Sequence, residues 1–378
     1  MNQLVAAAMR RPGPRTPLPA APLRALAVVE CVASRFGRHG RTITTRMLMV
    51  ILIICVPTQA FAAEAAAAVT SRVVSAISPE ARPVKLLVPF AAGGPTDTVA
   101  RALAAVLAVH LHHAVVVENI AGAGGTAGTA AASRAAPDGM TLLLHHIGMA
   151  TAPALYRSLP YDPRRDFEPV GRVVDVPMVL VARPGFAAAN LAEAVRHIRR
   201  HQDSIVVAYA GLGSASHLCG LLLSTALEVD LIQVPYRGTG PALRDLQESQ
   251  TDLMCDQTTN TGEAIRTGRV RALGVAALRR LPGMPSVPTM AEAGVRGLEL
   301  SIWHGLYAPR GTPREIVDRL GQALQASLAT PSFSRAMNDM QVVVATREQA
   351  SAAGLSTLLA AEIARWSPIL RKAGQYAD

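Results

Sequence analysis

Along most of this chain, short β-branched runs alternate with Ala- and Leu-rich stretches of helical length. Residues 84–88, 114–117 and 141–144 read as strands, with helices at 96–109 and 125–134 between them. The alternation resumes with strands at 178–182, 205–208, 231–234, 251–255 and 271–275. Helices at 191–200, 214–227, 240–247 and 259–267 separate them. Strands spaced by helices in this way form βαβ units, so the pattern predicts an α/β fold with mostly parallel sheets. The last part of the chain changes character. Residues 312–328, 332–340 and 347–372 all read as helix, the first opened by Thr312-Pro313 as cap and first turn.

A different pattern precedes this body. Residues 47–56 form an uncharged apolar run, preceded by Arg41 and Arg46 and followed by Ala60-Phe61-Ala62. A basic start, a short apolar core and a small-residue site define a secretion signal, so residues 1–62 read as extension and signal peptide, cut after Ala62. The apolar run is about half the length a membrane span needs. The body is therefore expected in the periplasm.

The signal changes how the charge is read. The chain has 37 Lys+Arg against 27 Asp+Glu, a net +10 that taken alone suggests a nucleic-acid or anionic-membrane binder. However, residues 1–46 hold eight arginines and one acid, Glu30. Residues 63–378 hold 29 basic and 26 acidic side chains, an ordinary balance. No nucleic-acid partner is expected. The 50% hydrophobic content excludes wholesale disorder, and the length suggests roughly two domains.

In open α/β sheets, ligands bind on the loops at the carboxyl ends of the strands. Four such loops are unusually rich in glycine: residues 89–97 (PFAAGGPTD), 118–126 (ENIAGAGGT), 210–217 (AGLGSASH) and 234–240 (VPYRGTG). Each follows a strand and enters a helix, where free N–H groups and a partial positive charge favour an anion. The first three contain no Lys or Arg. The expected anion is a carboxylate held by backbone N–H groups, hydroxyls and water, not a salt-bridged polyphosphate.

Competing chemistries fit less well. The glycines of residues 122–128 have the wrong spacing for a dinucleotide fingerprint. Ser214 and His217 lie three residues apart with no G-x-S-x-G elbow, so helix capping competes with any nucleophilic role. His110, His112 and His113 read as a solvated helix end, not a metal site. No cofactor, metal or catalytic residue is expected. Asp97 either meets a ligand or complements a helix N-terminus. Asp256, just after a strand, reads as a cleft-rim residue, and Arg237 is either a cleft cation or a surface arginine.

The four loops, in this order, resemble the substrate-binding proteins of tripartite tricarboxylate transporters, the Bug family of exported solute receptors. Further matching segments are residues 134–144 (RAAPDGMTLLL), 153–156 (PALY), 159–167 (LPYDPRRDF), 268–273 (GRVRAL), 287–294 (VPTMAEAG) and 308–313 (APRGTP). The resemblance implies a type II periplasmic-binding-protein fold, with two α/β lobes and a ligand cleft between them. It implies a first lobe at 82–177 plus 301–378 and a second at 178–300. It also implies a receptor, not an enzyme, that passes a small organic carboxylate to integral-membrane permease subunits, acting as a monomer. From the first lobe the implied ligand contacts are Phe90, Ala91, Gly93, Gly94, Thr96 and Asp97, with Gly125 and Thr126 behind them. From the second they are Gly213, Ser214, His217, Tyr236, Gly238 and Asp256. The chain departs from the family pattern at His145-His146, before Gly148, and at Trp303-His304. His146 and Gly148 join the candidate site, since imidazoles at a strand end either narrow the pocket or bind a second carboxylate. Cys219 and Cys255 fall near one rim of one sheet, where either a disulfide or two buried thiols fits. A sensory receptor and an exported hydrolase are the alternative functions.

Overall fold

The computed structural model describes residues 82–374, so the segment read as extension and signal lies outside the described residues. The first lobe opens with β1 (Val84–Val88), α1 (Pro95–Leu111), β2 (Val115–Asn119), α2 (Thr126–Ser133) and β3 (Thr141–His146). These strands pair in parallel in the order β2-β1-β3. Leu86, Val88 and Leu142 to Leu144 are fully buried. Parallel strands covered on both faces carry such unbroken apolar runs. After α3 (Gly148–Leu155) comes a 16-residue strand, β4 (Phe167–Ala182).

The second lobe follows as α4 (Leu191–Arg200), β5 (Val206–Tyr209), α5 (Ala215–Leu227), β6 (Ile232–Pro235), α6 (Thr239–Gln247), β7 (Leu253–Gln257), α7 (Thr258–Arg266) and β8 (Arg271–Val275). β5 pairs in parallel with both β6 and β7. α4 illustrates the local logic. Leu191, Ala194, Val195 and Ile198 form its buried stripe, and the Asn190 side chain caps it by accepting from the Glu193 N–H. The chain then returns through β9 (Ser301–Pro309), α8 (Arg314–Leu328), α9 (Pro331–Asp339), β10 (Val343–Val344) and α10 (Ala352–Ala373).

The full sheet order is β2-β1-β3-β9-β4-β7-β5-β6. Its two middle strands run antiparallel to their neighbours, so parallel pairing holds within each lobe but not across the molecule. β4 serves both lobes. Residues 167–177 pair with β9, and residues 178–182 pair with β7 and β8. The hydrophobic pattern gave only the second half of this strand. The first half carries Pro169 and Gly171, which usually argue against a strand interior. Here they fall at a register shift against β9, where such residues are tolerated. Gly171 also has no room for a side chain, because a Cβ would stand 2.8 Å from the Ala350 backbone. β9 was missed for a related reason: all but its first residue are buried, which leaves no alternation to read. α10 packs over α3 and β4, placing Leu355, Leu359 and Trp366 in one core with Leu143, Met178 and Leu180. No helix among the described residues is long and apolar enough to cross a membrane.

Candidate functional site

The carboxyl ends of the parallel strands in both lobes open on one cleft of about 580 Å³. Five helix-type N-termini converge there: α1 behind Gly94, the 3-10 turn Ala123–Gly125 leading into α2, α5 behind Ser214, α6 behind Gly238 and α7 behind Gln257. Only α5 has a side-chain cap among these, the Ser214 hydroxyl accepting from the His217 N–H at 3.2 Å. Elsewhere the first-turn N–H groups have no intrahelical partner and present donors and partial positive charge. Gly238 enters α6 at φ 106°, ψ 171°, a backbone state that side chains disfavour. Gly124 lies where the two sides come close together. A Cβ there would stand 2.4 Å from the Tyr156 hydroxyl and 2.5 Å from the Leu212 carbonyl oxygen of the second lobe.

Asp97 holds the first loop in shape. Its carboxylate accepts from the Gly93 N–H and the Arg101 guanidinium, both at 2.8 Å, and from the Asn119 amide at 3.0 Å. Asn119 also donates to the Phe90 carbonyl, tying β2 to the loop. Burial alone would raise the Asp97 pKa, but the bonds from Arg101, Gly93 and Asn119 outweigh it and keep the carboxyl below its ordinary value. These bonds tie the side chain to the first loop and to α1 and β2.

Behind the loop lies a stack of aromatic rings. Phe90 stacks on His146 with centroids 4.4 Å apart, and His145 and His304 meet His146 edge-on at 5.0 and 5.8 Å. All three histidines are buried, and burial pushes His145 down to about 3 and His304 down to about 4. Burial, then the neighbouring His145 and His304, holds His146 well below its usual range. The rings are therefore neutral at physiological pH, and their hydrogen bonds assign the protons. The Gly148 N–H donates to His146 Nδ1 at 2.9 Å, which places the His146 proton on Nε2 as a donor at the cleft wall. His304 Nδ1 lies 3.1 Å from the Ile302 carbonyl oxygen and must donate to it. Its Nε2 then accepts the Thr96 hydroxyl proton at 3.2 Å. Thr96 consequently offers the cleft an acceptor.

The opposite wall is built differently. Tyr236 donates its hydroxyl to Asp245 Oδ2 at 2.8 Å, and burial together with that carboxylate pushes its pKa up to about 12. Arg237 is exposed beside it, with no ion pair among the described residues. Asp256 is fully buried, with Oδ2 accepting from Asn260 at 2.6 Å, and burial raises its pKa to about 7. Ser216 braces the third loop by accepting from the Ala210 N–H at 2.8 Å. Cys219 on α5 and Cys255 on β7 are bonded as a disulfide, with Cα atoms 5.9 Å apart.

Of the sequence-derived candidates, Phe90, Ala91, Gly94, Thr96, Gly125, His146, Ser214, Tyr236, Gly238 and Asp256 line the cleft. Asp97, Thr126, Gly148, Gly213 and His217 are buried outside the lining, and Gly93 is exposed outside it. His217 accepts from the Gly213 N–H at 3.3 Å and so supports the third loop. Sequence reasoning missed Tyr156, Leu212, Thr239 and Gln257, all of which line the cleft. Thr239 and Gln257 adjoin named residues, a signal that was there to use. Tyr156 reaches the cleft only through tertiary structure, donating to the Ala123 carbonyl at 2.6 Å. Among the described residues, no three His, Cys, Asp or Glu side chains are placed to hold a metal ion.

Two α/β lobes sharing crossing strands, with uncapped helix N-termini facing a common cleft, define a periplasmic-type solute-binding protein. The chain belongs to the tripartite tricarboxylate transporter family receptors, whose profile matches residues 99–375. It is similar to the periplasmic binding protein BugD, at 48% identity over 80% of this chain and all of that one, with a TM-score of 0.76. It is also similar to MatC from Rhodopseudomonas palustris, solved with bound malate. That match has 42% identity, covers 77% of this chain and 99% of that one, and has a TM-score of 0.73. A third solved relative is R. palustris Rpa4515 with adipate, at 33% identity over 79% of this chain and 99% of that one, with a TM-score of 0.74.

Proposed function

We propose that this protein is exported through its N-terminal signal, captures a small organic carboxylate in the periplasm as a monomer, and delivers it to an integral-membrane permease. The observation that carries this reading is the first-lobe wall of the cleft. It offers uncapped helix N–H groups and the neutral His146 Nε2–H, and no lysine or arginine lines it. Such a wall suits a carboxylate, which needs several directed donors but little net charge. The malate and adipate found with two relatives are ligands of that chemistry. The ligand contacts assigned here are the cleft-lining residues Phe90, Ala91, Gly94, Thr96, Gly125, His146, Ser214, Tyr236, Gly238 and Asp256.

Capture works by closure of two bodies, 82–177 with 301–378 against 178–300. The change of partner within β4 after Pro177 and the start of β9 at Ser301 supply the crossing points. Ligand bound across the cleft favours the closed form by its extra contacts, a shift of population between open and closed states.

Thermal unfolding of the purified protein against a panel of carboxylates, neutral sugars and amines tests the proposal. A specific carboxylate at 100 times its Kd should stabilise the fold by about 2.7 kcal/mol. A shift with a sugar or an amine and none with any carboxylate would refute it.

A further inference from the structure

We propose that Gly283 and Gln341 form a stop behind the crossing strands that limits how far the cleft opens, and so set ligand affinity without touching the ligand. The inference rests on the two-body closure read above and adds a residue pair that governs it.

Contacts between the two bodies fall on both sides of the crossing strands. At the cleft, a Cβ on Gly94 would stand 3.8 Å from Thr239 Oγ1, and one on Gly238 would stand 3.9 Å from Ala91 Cβ. With the Gly124–Leu212 approach, these distances bring the walls together, so this arrangement of the lobes is a closed one. Away from the cleft, the Gly283 N–H of the second body donates to Gln341 Oε1 of the first at 2.5 Å. Neither residue lines the cleft.

The strand order shows where this second contact lies. In the first lobe the order is β2-β1-β3-β9-β4, and β10 pairs with the other edge of β4. In the second lobe it is β6-β5-β7-β4, and β8 pairs with the other edge of β4. The glycine loops of the cleft follow β1, β2, β5 and β6, while Gln341 precedes β10 and Gly283 follows β8. In each lobe, then, β4 stands between the cleft strands and the Gly283–Gln341 contact. A rotation about the crossing strands that parts the cleft walls presses these two residues together.

Both sides of the contact are stiff. The Gly283 loop is anchored by buried Leu281 and Val287, and Arg280 braces it by pairing with Glu292 at 2.9 Å and donating to the Pro285 carbonyl at 2.9 Å. Gln341 sits between buried Met337 and Val342 at a φ of 60°, a state that non-glycine residues seldom adopt and that persists where the surroundings enforce it. Its side-chain amide donates to the Asn338 carbonyl at 2.9 Å. No slack remains, since a Cβ on Gly283 would stand 2.5 Å from Gln341 Cδ. Removing the Gln341 side chain admits wider open states and draws population from the closed form. Bulk at Gly283 does the reverse. Apparent affinity follows the closed population in either direction.

Small-angle X-ray scattering of the ligand-free protein, paired with calorimetric titration of malate and adipate, tests the stop on wild type, Gln341→Gly and Gly283→Leu. Glycine suits the backbone at 341, and the atoms nearest a Cβ at 283 all belong to the movable Gln341 side chain. The radius of gyration should rise in Gln341→Gly and fall in Gly283→Leu. Affinity for the acid that binds should fall at least threefold in the first and rise at least threefold in the second. The double variant restores bulk behind β4 and should return to within twofold of wild type. Gln341→Asn and Gly283→Ala should shift both readings in the same directions by less, and they serve if the larger changes do not fold. Unchanged radii and affinities, tighter binding in Gln341→Gly, or equal losses in both single variants would each overturn the stop and leave the carboxylate reading standing. Radii that move as expected, beside silence from both acids and a response to a neutral sugar, would support the stop and overturn the carboxylate reading.

Discussion

The two walls of the cleft face the same ligand but are finished to different degrees. On the first-lobe side, every oxygen of Asp97 is engaged and the Thr96–His304–Ile302 chain is closed by hydrogen bonds. On the second-lobe side, Asp256 to Thr259 bury oxygens that have no partner. The difference suggests a division of labour. The first wall is built before the ligand arrives, so little ordering remains to be done when a carboxylate docks there. The second wall keeps buried oxygens without a hydrogen-bond partner at the junction of β7 and α7.

The walls also respond oppositely to pH, and this produces the largest effect we expect. His145, His146 and His304 have folded pKa values below the 6.5 of an unperturbed imidazole. The unfolded chain therefore binds more protons below about pH 6.5, and their contribution to stability is lost as pH falls. Asp256 works the other way. Its folded pKa of about 7 lies above the 3.8 of a free aspartate, so the fold gains as pH falls through that window. Each group changes stability by about 1.4 kcal/mol per pH unit where it acts. Three histidines outweigh one aspartate, leaving a net loss of roughly 3 kcal/mol between pH 7 and pH 5. The Tm should drop by roughly 5–10 °C over that interval. An unchanged or higher Tm at pH 5 would mean that the histidine stack accepts protons in the folded state.

This cluster also shows how far the sequence could be read. The glycine loops were legible because strand, Gly-rich turn and helix entry follow one another along the chain, as in residues 84–97 and 231–247. The dipeptide His145-His146 was visible as a departure from the family pattern. Nothing local, however, says that His304, on a strand the pattern missed, completes the stack and takes the Thr96 proton. Asp97 was likewise visible as an acid in a first turn, but its partner Asn119 lies on the next strand. The contacts of each residue come from atoms brought from elsewhere in the chain. The first half of β4 was hidden by Pro169 and Gly171, the very residues that fit its irregular register against β9.

The place where the walls meet gives the next largest effect. Gly124→Val adds a Cβ within 2.5 Å of both the Tyr156 hydroxyl and the Leu212 carbonyl, at a φ of 60° that a β-branched residue resists. The first lobe can keep its core, since Gly124 is not part of it, but the lobes cannot close to the same distance. Ligand affinity should fall at least about a hundredfold, roughly 2.7 kcal/mol, with a much smaller change in unfolding. Wild-type affinity in this variant would show that the contact between Gly124 and Leu212 does not govern closure.

The smallest effect isolates the second wall alone. Asp256→Asn keeps the size of the side chain and an oxygen for Asn260 to donate to, but removes the charge that burial disfavours. Without ligand, the variant should be more stable than the wild type at pH 8, by on the order of 2 kcal/mol. At pH 5, where folded Asp256 is already protonated, the difference should largely vanish. The first wall gives no such gain, because Asp97 is held ionised by its partners and its removal strips bonds from Gly93, Arg101 and Asn119. Paired melts of Asp256→Asn and Asp97→Asn at the two pH values therefore test the contrast directly. Stabilisation of the first variant at pH 8, beside destabilisation of the second at both, separates a wall that buries a poorly compensated carboxyl group from one whose carboxylate is fully paired. A loss of stability in Asp256→Asn at pH 8 would place both walls in the same class.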